Sequence, residues 1–64
     1  PLIGKTLTVI RDCRPAGQVE SDGLPVDADS TGEYIEAGAR VKVVDVVEGR
    51  LIVRRERAAT DSGQ

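Results

Sequence analysis

Val41-Lys42-Val43-Val44-Asp45-Val46-Val47-Glu48-Gly49-Arg50-Leu51-Ile52-Val53 is the stretch that decides the fold. Its first half is β-branched and carries charge only at Lys42 and Asp45. Glu48-Gly49-Arg50 makes a turn, and Leu51-Ile52-Val53 returns antiparallel. Strict alternation fails between Val43 and Val44, so Val41 and Val43 share one side of the strand while Val44 and Val46 share the other. A bulge or a sharp coil at that step lets both sets reach a curved interior. The expectation is a bent strand in a small barrel, not a flat hairpin.

The same chemistry recurs upstream. Leu7 and Val9 alternate with Thr6, Thr8 and Ile10 in a first strand running from about Ile3 to Asp12. Arg14-Pro15-Ala16-Gly17 punctuates, with Pro15 presetting φ in the loop. Val19 then sits between Gln18 and Glu20 in a short second strand. Asp22-Gly23 closes a tight hairpin, because both positions tolerate positive φ. Leu24, Val26 and Ala28 alternate with Pro25, Asp27 and Asp29 in a third strand with one face inward. Pro25 has no N–H to give to a ladder, so this strand is short, at an edge, or bulged there. Between Ser30 and Gly38 a single helical turn fits, with Tyr34 and Ile35 as its apolar residues and Gly38 as its left-handed exit. The glycines read as shape-makers, Gly17 and Gly38 at entries to strands and Gly23 and Gly49 in hairpin turns.

Five short strands of this kind call for closure, since an open sheet would leave one face and two edges wet. The order of a long coiled strand, a hairpin, a break holding a helical turn and a second hairpin matches the all-β, five-stranded oligonucleotide/oligosaccharide-binding (OB) barrel, with an SH3-like barrel as competitor. The barrel is expected over residues 1–56. The polar residues 57–64 have nothing to bury and read as a flexible tail.

The chain has 64 residues, and 9 Lys+Arg against 11 Asp+Glu give a net charge of −2. One small domain is all this length allows, burying about 60% of its unfolded surface. No global positive field gathers nucleic acid or anionic lipid. Histidine, tryptophan, phenylalanine and methionine are absent, and Tyr34 is the single aromatic. The commonest general base, the commonest metal ligand and nearly every base-stacking platform are thereby missing. The absent start methionine suggests a piece of something longer. No apolar run approaches the ~18 residues of a membrane helix, and no signal peptide is visible, so this piece reads as water-soluble. Cys13 stands alone, which forbids an internal disulfide and suits a small buried side chain.

The residues offer little chemistry. Without histidine, a nucleophile would need a Ser–Lys pair drawn from Ser21 or Ser30 and Lys5 or Lys42, with no apolar cleft to hold an oxyanion. Asp27-Ala28-Asp29-Ser30-Thr31-Gly32 copies the opening spacing of a calcium loop, but the twelfth position is Gly38 where a bidentate glutamate is required. Asp27 and Asp29 therefore read as outward strand carboxylates. Arg11 and Arg14 flank the first turn, and Arg54, Arg55 and Arg57 crowd the end, offset by Asp12 and Glu56. The hairpin tips carry no lysine of the kind lipoyl and biotinyl carriers modify. The expected protein is not an enzyme and takes no cofactor or metal.

Taken in order, Gly4-Lys5-Thr6, Arg14-Pro15-Ala16-Gly17-Gln18-Val19-Glu20, Asp22-Gly23, Asp27-Ala28, Gly32-Glu33-Tyr34-Ile35-Glu36-Ala37-Gly38, Val41-Lys42-Val43-Val44 and Leu51-Ile52-Val53 resemble the soluble C-terminal domain of the NfeD-like family (nodulation formation efficiency D). The resemblance runs from about Ile3 to Val53. It departs at Val26, near which family members commonly have an aromatic residue. It implies an OB barrel that follows transmembrane helices in an integral membrane protein, membrane-associated through those segments, with the cytoplasmic face favoured. It also implies protein partners of the stomatin, prohibitin or flotillin kind, and, in longer members, an upstream ClpP-like serine protease region.

The expected function is therefore a non-catalytic protein-interaction domain. Its candidate surface is Arg14, Tyr34, Ile52 and Arg54, with Ile10 and Ile52 forming an apolar patch if they lie side by side. The alternative is a single-stranded nucleic-acid-binding OB domain.

Overall fold

The structure, a computed structural model, describes residues 2–56. Five strands follow one another, β1 (Thr6–Arg11), β2 (Ala16–Ser21), β3 (Leu24–Asp29), β4 (Arg40–Val47) and β5 (Arg50–Arg55). They close into a barrel in the order β1-β2-β3-β5-β4, with β4 returning to β1. All neighbours are antiparallel except β3 and β5, which run parallel at Ala28/Leu51 and Asp29/Ile52. This order is that of the OB barrel, so the SH3-like alternative falls. The first strand is shorter than the expected Ile3–Asp12, because Leu2–Lys5 form a turn closed by the Lys5 N–H on the Leu2 carbonyl (3.0 Å). The expected tail at 57–64 lies outside the described residues.

Both hairpins close as their sequences dictate. Asp22 and Gly23 have φ of 53° and 81°, and Glu48 and Gly49 have 51° and 81°, the paired left-handed geometry whose twist matches the strands it joins. Pro25 is accommodated as an edge residue. It stands opposite Glu20 of β2, while β3 meets β5 only at Ala28 and Asp29, so no neighbour asks Pro25 for an N–H.

The bulge expected in β4 is present. Val43 pairs with Val53 and Asp45 with Ile52, leaving Val44 as the extra residue. A second bulge leaves Ile10 unpaired in β1, between Val9/Val19 and Arg11/Gln18. These two irregularities give the strands the coil that a barrel this narrow needs. Val44 and Val46 do not reach the interior, however, and this corrects the reading of the bulge. Pairing between the N-terminal segment and β4 stops at Val43, with the Gly4 N–H on its carbonyl (2.8 Å) and its own N–H on the Lys5 carbonyl (2.9 Å). Beyond that point the β4–β5 hairpin is uncovered, and Val44, Val46 and Val47 are exposed. Leu24 is likewise exposed at its hairpin tip, so only Val26 and Ala28 of β3 turn inward.

The core consists of Val9, Cys13, Val19, Ala28, Ile35, Val41, Val43, Leu51 and Val53. It contains no aromatic side chain, and it buries Cys13 as the sequence suggests. Burial pushes the thiol's pKa up, with Asp29 and Asp12 adding to the shift. The helical turn expected at 30–38 does not form. Thr31 (φ 59°) and Gly32 (φ 96°) turn left-handed at its start. Ile35 then gives its N–H to the Cys13 carbonyl (3.0 Å) and accepts from the Cys13 N–H (2.8 Å), which leaves those groups unavailable to a helix. The segment crosses the barrel as a loop with Ile35 as its plug.

Candidate functional site

The outer wall carries three polar clusters. The first is built on the crossing loop. Tyr34, with 51% of its surface exposed, donates its hydroxyl to Asp12 Oδ2 at 2.7 Å. Asp12 Oδ1 accepts the Ala37 N–H at 2.7 Å. The Arg14 guanidinium lies 5.8 Å from the Tyr34 ring centroid, within cation–π range. Arg55 closes the other side of the loop, donating to the Tyr34 carbonyl at 3.1 Å and to both carboxylate oxygens of Glu36 at 3.0 and 3.2 Å. Arg14 and Tyr34 are thus brought together, as one feature held by Asp12 and Arg55.

These contacts set the titrations. The Tyr34 hydroxyl, then the Ala37 amide, hold the Asp12 carboxyl below its usual range. Asp12 in turn holds Tyr34 above the ordinary tyrosine value. Arg55 lowers Glu36, and Arg50 lowers Asp29. Each of these carboxyls has a folded pKa below its unfolded value. Its contribution to stability is therefore present above the ordinary carboxylate range and is lost as pH falls through the folded value. The urea midpoint should stay level from neutral pH down to about pH 5 and drop below about pH 4. Because Tyr34 is the sole tyrosine, tyrosinate absorbance reads its partner directly. Asp12→Asn should move that titration toward the ordinary value, and an unchanged titration in this variant would show that the Tyr34–Asp12 contact is not held in solution.

The second cluster joins β3 to β5. Arg50 donates to Asp29 at 2.8 and 3.3 Å and stands 3.6 Å from Asp27. The two carboxylates with calcium-loop spacing thus face a guanidinium. Ser30, the buried candidate nucleophile, donates its hydroxyl to the Glu33 carbonyl and serves the loop.

The third cluster lies on the outer face of β4 and β5, where Lys42 stands directly opposite Arg54. Like charges in this position repel. Arg40 is two residues earlier on the same face, its guanidinium 3.4 Å from the Thr8 hydroxyl. Lys42, Val44, Arg54, Arg55 and Glu56 line an open groove of about 440 Å3. Ile52 shares the Arg54 face of β5, but it sits opposite Asp45 and beside Asp29. It does not meet Ile10, since β4 separates β1 from β5 in the barrel. The expected Ile10–Ile52 patch is therefore absent.

Sequence reasoning missed Asp12 as the anchor of Tyr34, Arg50 as the partner of Asp27 and Asp29, and Lys42 as the counterpart of Arg54. Only the alternation of Arg40, Val41 and Lys42 hinted at the last.

The sequence pattern of the NfeD-like C-terminal, partner-binding domain matches residues 1–55. Among solved structures, the chain is similar to the C-terminal domain of stomatin operon partner protein 1510-C from Pyrococcus horikoshii. The two are 38% identical with a TM-score of 0.84, over 89% of this chain and 91% of that one. It is also similar to the soluble domain of a membrane protein implicated in regulation of membrane protease activity from Corynebacterium glutamicum. That domain is 30% identical with a TM-score of 0.79, over 88% of this chain and 94% of that one. No curated protein matches the sequence. A closed OB barrel matched along nearly its whole described length by one family places this chain among the NfeD-like C-terminal, partner-binding domains.

Proposed function

We propose that this barrel is the docking part of a membrane-anchored protein and that its partner is a stomatin-like protein, prohibitin- and flotillin-like proteins being the related candidates. The family match over residues 1–55 carries the reading, and the 38% identity to a domain of a stomatin operon partner supports a stomatin-like partner. The wall fits this use. Arg50 and Arg55 are held in ion pairs, and the one aromatic ring is tied to Asp12 instead of standing free as a platform for bases. Docking acts here by surface complementarity, with Arg14 and Tyr34 on one side of the β5 terminus and Ile52 and Arg54 on the outer face of β5. Catalysis, where a longer relative has it, belongs to an upstream protease region.

The test is titration of the purified chain with the soluble part of a stomatin-like protein, by calorimetry, with oligo(dT) at low salt as the comparison. Saturable binding to the stomatin-like protein alone is expected. Tight, steeply salt-dependent binding of oligo(dT) without any to the stomatin-like protein would reverse the reading in favour of a nucleic-acid binder.

A further inference from the structure

We propose that the outer face of the β4–β5 ladder, formed by Arg40, Lys42 and Arg54 around Val44, binds an extended acidic segment of the protein partner, with carboxylates at alternate residues. The inference rests on the docking reading above and names the face and the chemistry it recognises.

Two independent observations converge on it. The first is electrostatic. Among the described residues, Arg50 and Arg55 are engaged by Asp27, Asp29 and Glu36, and of the cations that form no ion pair Arg40, Lys42 and Arg54 are gathered on one face. Lys42 and Arg54 are moreover directly opposed, a placement that costs the fold stability. The register that opposes them is created by the Val44 bulge. Counting back from the Glu48-Gly49 turn through Val47/Arg50, Val46/Leu51 and Asp45/Ile52, an unbroken ladder would set Val43 against Arg54. With the extra residue, Lys42 takes that place.

The second observation is shape. The groove of about 440 Å3 beside this pair is lined by Lys42, Val44, Arg54, Arg55 and Glu56, and Val44, 38% exposed, provides an apolar seat. Glu56 is the one carboxylate in that lining, and it accepts the Thr6 hydroxyl at 3.3 Å. Arg40 and Lys42 point outward two residues apart, about 7 Å along the strand. Alternate side chains of an extended peptide repeat at the same spacing. Carboxylates at two such positions reach both cations, Arg54 flanks them, and the next apolar side chain falls on Val44. A nucleic acid would also meet the charges, but it would find no aromatic ring on this face, and the chain as a whole is negative.

The test uses fluorescence anisotropy of the whole chain. The probes are a labelled peptide alternating Glu and Thr and ending in Leu, the same peptide with Lys in place of Glu, oligo(dT), and phosphatidylserine/phosphatidylcholine vesicles. The Glu peptide should bind, more weakly as salt rises. Lys42→Glu and Arg54→Glu should each weaken it by about tenfold or more, since like charges then face each other across the interface. Neither should lower the thermal midpoint, because each single reversal converts the repulsive cross-strand pair into an attractive one. The double reversal should prefer the Lys peptide. Loss of binding with stability kept or raised is the signature that a merely structural role for the pair would not give.

The proposal is overturned if the wild type binds the Lys peptide as well as the Glu peptide, if only oligo(dT) or vesicles bind, or if the two reversals leave the Glu peptide's affinity unchanged. Should a stomatin-like protein bind the wild type and both variants alike, this face is wrong while the docking function stands. If the Glu peptide binds and responds to the reversals but no stomatin-like protein binds, the face stands and the choice of partner fails.

Discussion

Gly17→Ala should remove about 3 kcal/mol of the stability of this small domain. Gly17 faces the interior of β2 opposite Ala28, at the point where the chain leaving β1 crosses it. A Cβ there would lie 2.5 Å from the carbonyl oxygens of both Arg11 and Asp12 and 2.8 Å from the Asp12 carbonyl carbon. These are backbone atoms, so no rotamer relieves the clash. Nor can the crossing segment withdraw cheaply. Arg11 is paired with Gln18, Cys13 exchanges both backbone hydrogen bonds with Ile35, and the Asp12 carboxylate holds Tyr34 and Ala37. Overpacking a core costs about 1–3 kcal/mol, and a clash against fixed main chain belongs at the upper end, about 3 kcal/mol. A domain of this length has only about 3–10 kcal/mol in total. Urea denaturation followed by far-UV circular dichroism measures the loss, with Ala16→Ser as an exposed neighbouring control expected to change stability by less than about 0.5 kcal/mol. A G17A chain that unfolds cooperatively at nearly the wild-type midpoint would show that the crossing can open.

Gly17 also marks the limit of what the sequence discloses. As a residue beside a proline turn it reads as a strand entry, and nothing local says that another strand's carbonyls will lie against its face. The features legible beforehand are those carried by neighbouring residues. Asp22-Gly23 and Glu48-Gly49 demand left-handed turns, and the Val43-Val44 step demands a break in alternation, so the hairpins and the bulge were readable in place. The Ser30–Gly38 segment misleads for the same reason. Its local pattern suits a helical turn, but Cys13 claims the Ile35 backbone from far along the chain. The burial of Val44 and Val46 fails because the bulge sets Val44 in the outer groove with Lys42 and Arg54, while Val46 lies beyond the point where pairing with the N-terminal segment stops.

The candidate surface follows the same division. Arg14, Tyr34 and Arg54 stand out as residue types, since exposed arginines and a lone tyrosine are visible in any sequence. Their partners are set by register and by the crossing loop. The opposition of Lys42 to Arg54 exists only because one bulge shifts the ladder by a residue, and the capture of Asp27 and Asp29 by Arg50 only because β3 and β5 run parallel. A local pattern therefore shows which side chains are free to act. Topology decides which of them act together.

Ile35→Ala carries this distinction into a second large effect, expected at about 3 kcal/mol. Ile35 is fully buried among Val9, Cys13, Val19, Ala28, Val41, Val43, Leu51 and Val53. Its neighbours are mostly stiff, β-branched valines, and the protein has no methionine or phenylalanine to swing into a void. The cavity should therefore collapse poorly, and this raises the cost of the lost methylenes. Ile35→Val, which removes a single methylene, should cost about 1 kcal/mol. The truncation also acts on the surface. Ile35 fixes the loop next to Tyr34, so weakening the plug should loosen the Tyr34–Asp12 contact and bring tyrosinate formation back toward its ordinary pH while the barrel is still folded. Equilibrium denaturation gives the first quantity and the tyrosinate titration of folded protein the second. A loss below about 1 kcal/mol for Ile35→Ala, with Tyr34 titrating as in the wild type, would mean that the crossing loop is held by its polar contacts and that Ile35 is not the plug of this barrel.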